Sequence, residues 1–170
     1  MHLETPTTAI LGLIPEGRAG VVETLRVMSR LVRDGKKNLS VRQRAVYLTR
    51  SCQQKDYACE VRSLHAFVRD EIRYVNDVRD VETVHTPDKT LEFNAGDCDD
   101  KAVLLAAMLE SIGHPTRFVA IGFEPQVFEH VYVETKIGAS WIALETTEPV
   151  EAGWSPMDSH SVKAYLPFYN

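Results

Sequence analysis

The order of hydrophobic patterns along the chain predicts an α+β fold in which helices come first and a small antiparallel sheet follows. Three observations carry this expectation. Apolar residues recur at three- and four-residue spacing through the first part of the chain. The stretch from Asp99 to Ile112 is apolar around nearly its whole circumference. From Thr116 onward the pattern changes to short runs of β-branched and aromatic residues broken by Gly and Pro. Helices followed by a consecutive run of strands mark an α+β domain, and a helix that is apolar on every side belongs at its centre.

Element by element, residues 1–17 are punctuated by Pro6, Gly12, Pro15 and Gly17 and predict an irregular N-terminal arm. That arm is either a frayed terminus or a segment that docks Ile10, Leu11, Leu13 and Ile14 onto a partner. Val21, Val22, Leu25, Met28, Leu31 and Val32 make an amphipathic helix from Ala19 to about Arg33, stopped at Asp34-Gly35. Ser40 is the expected N-cap of a second helix through Val41, Ala45 and Leu48. A third, from about Tyr57 to Tyr74, carries Val61, Leu64, Phe67, Val68 and Ile72 on one face. The arginines at 42, 44, 50, 62, 69 and 73 decorate these helices as solvated faces or ion pairs, with a binding patch as the alternative.

Between Val75 and Ala95 the sequence predicts an extended crossing without a helix, because Asp77, Asp80, Pro87, Asp88 and Asn94 break it and Gly96 follows. Gly113 and Pro115 end the central helix. Thr116 to Ile121, Phe128 to Thr135 and Trp141 to Glu145 are expected strands. Residues 148–170, with Pro149, Gly153, Pro156 and Pro167, are an expected irregular tail. Its Trp154, Tyr165, Phe168 and Tyr169 would pack on the body or on a neighbour. The resulting division is an arm at 1–17, a domain at 18–147 and a tail at 148–170, the domain having a helical part at 18–74 and a core at 86–147.

Composition narrows the function classes. The 170 residues are 44% hydrophobic and 25% charged, with net charge −5, which suits one domain with a sizeable core. The acidic balance argues against a nucleic-acid partner. No apolar run reaches the roughly 18 residues of a membrane span, and the first residues do not have the pattern of a signal peptide. Three cysteines make no disulfide framework, so Cys52 and Cys59 are expected as buried thiols in a reducing compartment.

The chemistry concentrates at Gly96-Asp97-Cys98-Asp99-Asp100-Lys101. Cys98 stands where the central helix begins, and unpaired N–H groups and the positive end of a helix dipole favour a thiolate there. Asp97, Asp99 and Asp100 work against that ionisation and suit a helix first turn as caps. His130 lies in the second strand, and Glu145 ends the third. Taken alone, each also fits an ordinary structural role: a small buried thiol, a hydrogen-bonded strand histidine, the exposed end of a strand. Together, a thiol, an imidazole and a carboxylate are the set that nucleophilic acyl transfer requires. Spacing fits neither a zinc pattern nor a calcium loop, so no metal and no cofactor are expected. His65, His85, His114 and His160 show no partner pattern.

Those residues also carry a resemblance. The string from Gly96 to Leu105 through Ile112-Gly113, with Arg117-Phe118-Val119, His130 to Val133 and Trp141 to Thr147, resembles the transglutaminase-like superfamily, a branch of the papain-like cysteine enzymes. Ile72-Arg73-Tyr74 and Thr86 to Leu91 resemble its approach to the cysteine. The resemblance implies a papain-like/transglutaminase-like core, with the central helix packed on the sheet. It makes Cys98 the nucleophile, His130 the general base and acid, and Glu145 the orienting acid. The family usually has Asp in a Leu-Asp-Pro-Thr-like string, and Glu145 departs from it by one methylene. Asp97 is assigned a supporting role, and Asn94 is a candidate second oxyanion donor beside the Cys98 backbone N–H.

The expected function is therefore that of a cysteine protease or amidohydrolase on a protein or peptide substrate, by hydrolysis rather than crosslinking. The alternative is a structural or adaptor component of an assembly, because the short layout resembles stand-alone members from tailed bacteriophages and bacteria. On that reading the arm and tail bind other subunits, and the protein sits in a phage particle rather than in the cytoplasm of a bacterial (host) cell.

Overall fold

The computed structural model describes residues 8–10, 18–76, 83–122, 127–156 and 162–167. Helices α1 (Arg18–Gly35), α2 (Leu39–Thr49) and α3 (Tyr57–Glu71) come first, followed by the short strand β2 (Arg73–Tyr74). Strand β1 (Thr8–Ile10) precedes them and pairs antiparallel with β3 (Thr83–His85). Helix α4 (Pro87–Phe93) leads into β4 (Ala95–Gly96), which pairs in parallel with β2. Helix α5 (Cys98–Ser111) precedes β5 (Thr116–Gly122), β6 (His130–Ile137) and β7 (Ser140–Leu144). Strand β8 (Val162–Pro167) completes an antiparallel sheet in the order β7-β6-β5-β8.

The central helix is buried on all sides, as its composition dictates. Ala102 through Leu109 are at most 1% exposed. Helix α5 packs against each of the other four helices and against β5 and β6. Phe118, Ala120, Val131, Val133 and Leu144 form the sheet face that joins this core, together with Leu25, Met28, Val41, Leu64 and Val68 from the helices. Full burial of a side chain of this size contributes about 1.5–3 kcal/mol. Gly113 ends α5 at φ +100, a conformation only glycine adopts without strain.

Several local expectations are corrected. Asn38 rather than Ser40 caps α2, its side chain accepting from the backbone N–H of Ser40 and Val41. Helix α3 stops at Glu71. A helix does form between Val75 and Ala95: Thr86 is the N-cap of α4, Pro87 supplies a preset φ at the first helical position, and Asp88 lies in its first turn. The residues read as breakers start that helix. Thr8–Ile10, within the arm expected to be irregular, and Val162–Pro167, within the tail expected to be irregular, are strands paired inside this chain. The side chains of Ile10, Tyr165, Phe168 and Tyr169 lie outside the described part of the molecule, as do Leu11, Leu13, Ile14 and His160.

Cys52 and Cys59 are joined as a disulfide rather than held as buried thiols. The α2–α3 turn brings their Cα atoms to 5.7 Å, within bridging range. An odd cysteine count is compatible with one bridge and one free thiol, so the expected reducing compartment does not follow from it. Among the described residues, no helix is long and apolar enough to cross a membrane.

Candidate active site

Cys98 is the first residue of α5 and the chain's free thiol. Its place is set by a reciprocal cap. Asp97 Oδ1 accepts from the Asp100 N–H at 3.0 Å, and Asp100 Oδ2 accepts from the Asp97 N–H at 3.4 Å. Asp100 is buried and also receives the His85 backbone N–H at 2.7 Å and His85 Nδ1 at 2.6 Å. This carboxylate ties β3 to the turn that presents the cysteine. Gly96 is required for the approach, because a Cβ there would lie 2.5 Å from Asp100 Cβ.

The thiol is half-buried and donates to Asp99 Oδ1 at 3.4 Å. Burial first, then the charges of Asp99 and Asp97, push its ionisation well above the ordinary cysteine range. A hydrogen bond from the Val131 backbone opposes this shift and sets the sulfur against β6, at the residue following His130. Burial and the aspartates together favour the neutral thiol.

His130 opens β6 and hydrogen-bonds through Nε2 to Glu145 Oε2 at 2.5 Å. Glu145 is 1% exposed. Its Oε1 accepts from the Thr147 N–H at 2.7 Å and Thr147 Oγ1 at 2.8 Å. Burial works against the carboxylate, but the His130 and Thr147 hydrogen bonds and the imidazole charge outweigh it, and its pKa falls below the usual value.

Asn94, the candidate oxyanion donor, ends α4. It is exposed, takes a left-handed conformation at φ 48 as the C-cap of α4, and its carbonyl receives the Arg73 N–H at 2.9 Å. What the structure engages at Asn94 is its backbone.

Two supporting residues escaped the sequence reading. His65 on α3 is buried, and its Nε2 lies 2.5 Å from the Glu145 backbone carbonyl. Burial lowers its pKa, so the ring is neutral and donates from that nitrogen. Lys101, 2% exposed, donates from Nζ to the carbonyls of Ile72 at 2.7 Å and Arg69 at 3.3 Å. It places a cation at the C-terminal end of α3. Desolvation brings its pKa down to about 8, against the charges of Glu145 and Asp70. Lys101 lay in plain view inside the cysteine string. A lysine at a position where the helix is otherwise apolar was the available signal. His85 and His114 also have carboxylate partners, Asp100 and Glu60. Sequence could not pair them because those partners lie 15 and 54 positions away.

The model of the transglutaminase-like superfamily matches residues 42–146, and the chain belongs to that superfamily. Two solved structures show the same fold. One is a candidate protease from Parabacteroides distasonis, with TM-score 0.57 and 16% identity over 73% of this chain and 26% of that one. The other is a candidate cysteine protease from Cytophaga hutchinsonii, with TM-score 0.53 and 19% identity over 77% of this chain and 54% of that one. The chain thus spans about a quarter and about half of these two proteins. No curated protein matches the sequence.

Proposed function

We propose that the protein is a cysteine-dependent acyl-transfer enzyme that hydrolyses amide or peptide bonds, with Cys98 as nucleophile, His130 as general base and acid, and Glu145 as orienting acid. The observation that carries this reading is the bond from His130 Nε2 to a buried, anionic Glu145, beside a thiol seated against the next residue of the same strand. Glu145 occupies Nε2, so Nδ1 is the nitrogen that exchanges protons with the thiol. The two fold neighbours, described as candidate proteases, favour the same chemistry.

In this mechanism the thiol proton passes to His130 Nδ1 as sulfur bonds to the substrate carbonyl carbon, and the carbonyl π pair moves onto oxygen. Its return expels the amine, which takes the proton from His130 and leaves a thioester. Water, deprotonated by the same imidazole, attacks the thioester. The C–S bond breaks, Cys98 regains its proton and the acid is released. Glu145 stays anionic and stabilises the imidazolium. A thiol at rest suits this cycle, because the base ionises the sulfur only as it attacks.

Acylation by p-nitrophenyl acetate, followed by mass spectrometry of the Cys98 peptide, tests the assignment. The native protein gains one acetyl group on Cys98, and His130→Ala loses most of that rate. Equal acylation in His130→Ala would remove the imidazole from the mechanism. The adaptor reading drew on the arm and tail, and the described parts of both pair within this chain.

A further inference from the structure

Strand β2 is only two residues long, yet it is fastened to the helix that carries Cys98 and to β4, the strand that leads into that helix. At its start, Lys101 Nζ holds the Ile72 carbonyl at 2.7 Å. Lys101 lies three residues after Cys98, on the same side of α5. Along its length, β2 pairs in parallel with β4, Tyr74 opposite Gly96, and the Val75 N–H bonds the Gly96 carbonyl at 3.1 Å. Gly96 is two residues before the nucleophile. A strand of this size has no stability of its own, so these ties fix where Tyr74 stands.

Tyr74 is 46% exposed, a phenol at the edge of the cysteine turn. Partial burial first, then the neighbouring Cys98, Asp97 and Asp99, oppose its ionisation. The hydroxyl therefore keeps its proton, and its strand position opposite Gly96 sets Tyr74 beside the turn that carries the thiol. The remaining oxyanion candidate, Asn94, is engaged through its backbone in holding this same strand by way of Arg73.

We propose that the Tyr74 hydroxyl is the second oxyanion donor, hydrogen-bonding the carbonyl oxygen of the acyl group attacked by Cys98, opposite the Cys98 backbone N–H. This rests on the acyl-transfer reading above. No proton is transferred from the phenol. Its hydrogen bond strengthens as the carbonyl pair moves onto oxygen and relaxes when the C–N bond breaks.

Two reactions of the same sulfur isolate this role in the full-length protein. Acylation by p-nitrophenyl acetate passes through an oxyanion, whereas alkylation by iodoacetamide displaces iodide and forms none. In Tyr74→Phe, acylation of Cys98 falls roughly 10- to 100-fold, while alkylation changes by no more than about twofold, which also reports an intact site. Acylation that stays near the native rate would overturn the proposal, as would a parallel fall in both reactions. Failure of the native protein to acylate Cys98 at all would instead remove the acyl-transfer reading, and this inference with it.

Discussion

Glu145 reaches His130 across a diagonal of the sheet. The last β6–β7 pair is Val133 with Leu144, so Glu145 stands one step beyond, alongside Tyr132, and His130 is two residues further along β6. Diagonal neighbours are still within reach of aromatic and long side chains. The extra methylene that separates Glu145 from the family's usual Asp spans that distance and closes a 2.5 Å contact.

Glu145→Asp therefore shortens the side chain, drawing its oxygens back from His130 and Thr147, while the His65 bond still holds its backbone carbonyl. Turnover is expected to fall about 10- to 100-fold, with the melting temperature little changed. Glu145→Gln keeps the length and removes the charge, and a larger loss, of about 10²- to 10⁴-fold, is expected. Full activity in Glu145→Gln would exclude the anionic role.

Cys98 is held as a thiol by burial and by Asp99 and Asp97. Alkylation by iodoacetamide should therefore keep rising with pH beyond 9.0, the ordinary cysteine value, with no plateau near neutrality. Asp99→Asn removes the larger of the two opposing charges and supplies an amide N–H that can donate to the sulfur. Both changes favour the thiolate, so the rise should shift to lower pH. A shift in the opposite direction would contradict the electrostatic account.

Gly96→Ala places a methyl group 2.5 Å from Asp100 Cβ, an atom fixed by the helix and by its two bonds to His85. The cysteine turn has to move, and a destabilisation of about 1–3 kcal/mol is expected in urea unfolding, together with slower Cys98 acylation. A neutral effect would show the turn to be more pliable than its hydrogen bonds imply.

The Cys52–Cys59 bond closes a short loop, for which chain entropy implies about 2 kcal/mol. A Cys52→Ser, Cys59→Ser protein should unfold at correspondingly lower urea and keep its Cys98 alkylation rate. Thiol titration of the denatured, unreduced chain should count one free thiol, and three after reduction. Three before reduction would mean that the bond is absent.

Much of the fold was legible because its signals are periodic and local. The all-round apolar character of Ala102 to Leu109 marked the buried helix, and the strand runs marked β5, β6 and β7. Short elements were not legible. Helix α4 was hidden behind residues that break helices in the interior and start them at the first turn. Strands β1 and β8 exist because distant strands pair with them, which no local pattern records. The cysteine pair failed for a similar reason, since an odd count says nothing about which two sulfurs a turn brings together.

The sequence by itself determined that a thiol begins the core helix and that an imidazole and a carboxylate lie on the following strands, because helix ends, strand periods and the family string are local properties of the chain. Only the tertiary structure decided how these groups are held. His65 grips the Glu145 backbone from 80 residues away, Lys101 holds the Ile72 carbonyl from 29 away, and Asp100 joins His85 across 15. Contacts of that kind arise from packing in three dimensions, where burial makes an unpartnered polar group costly and so selects a partner wherever the fold supplies one.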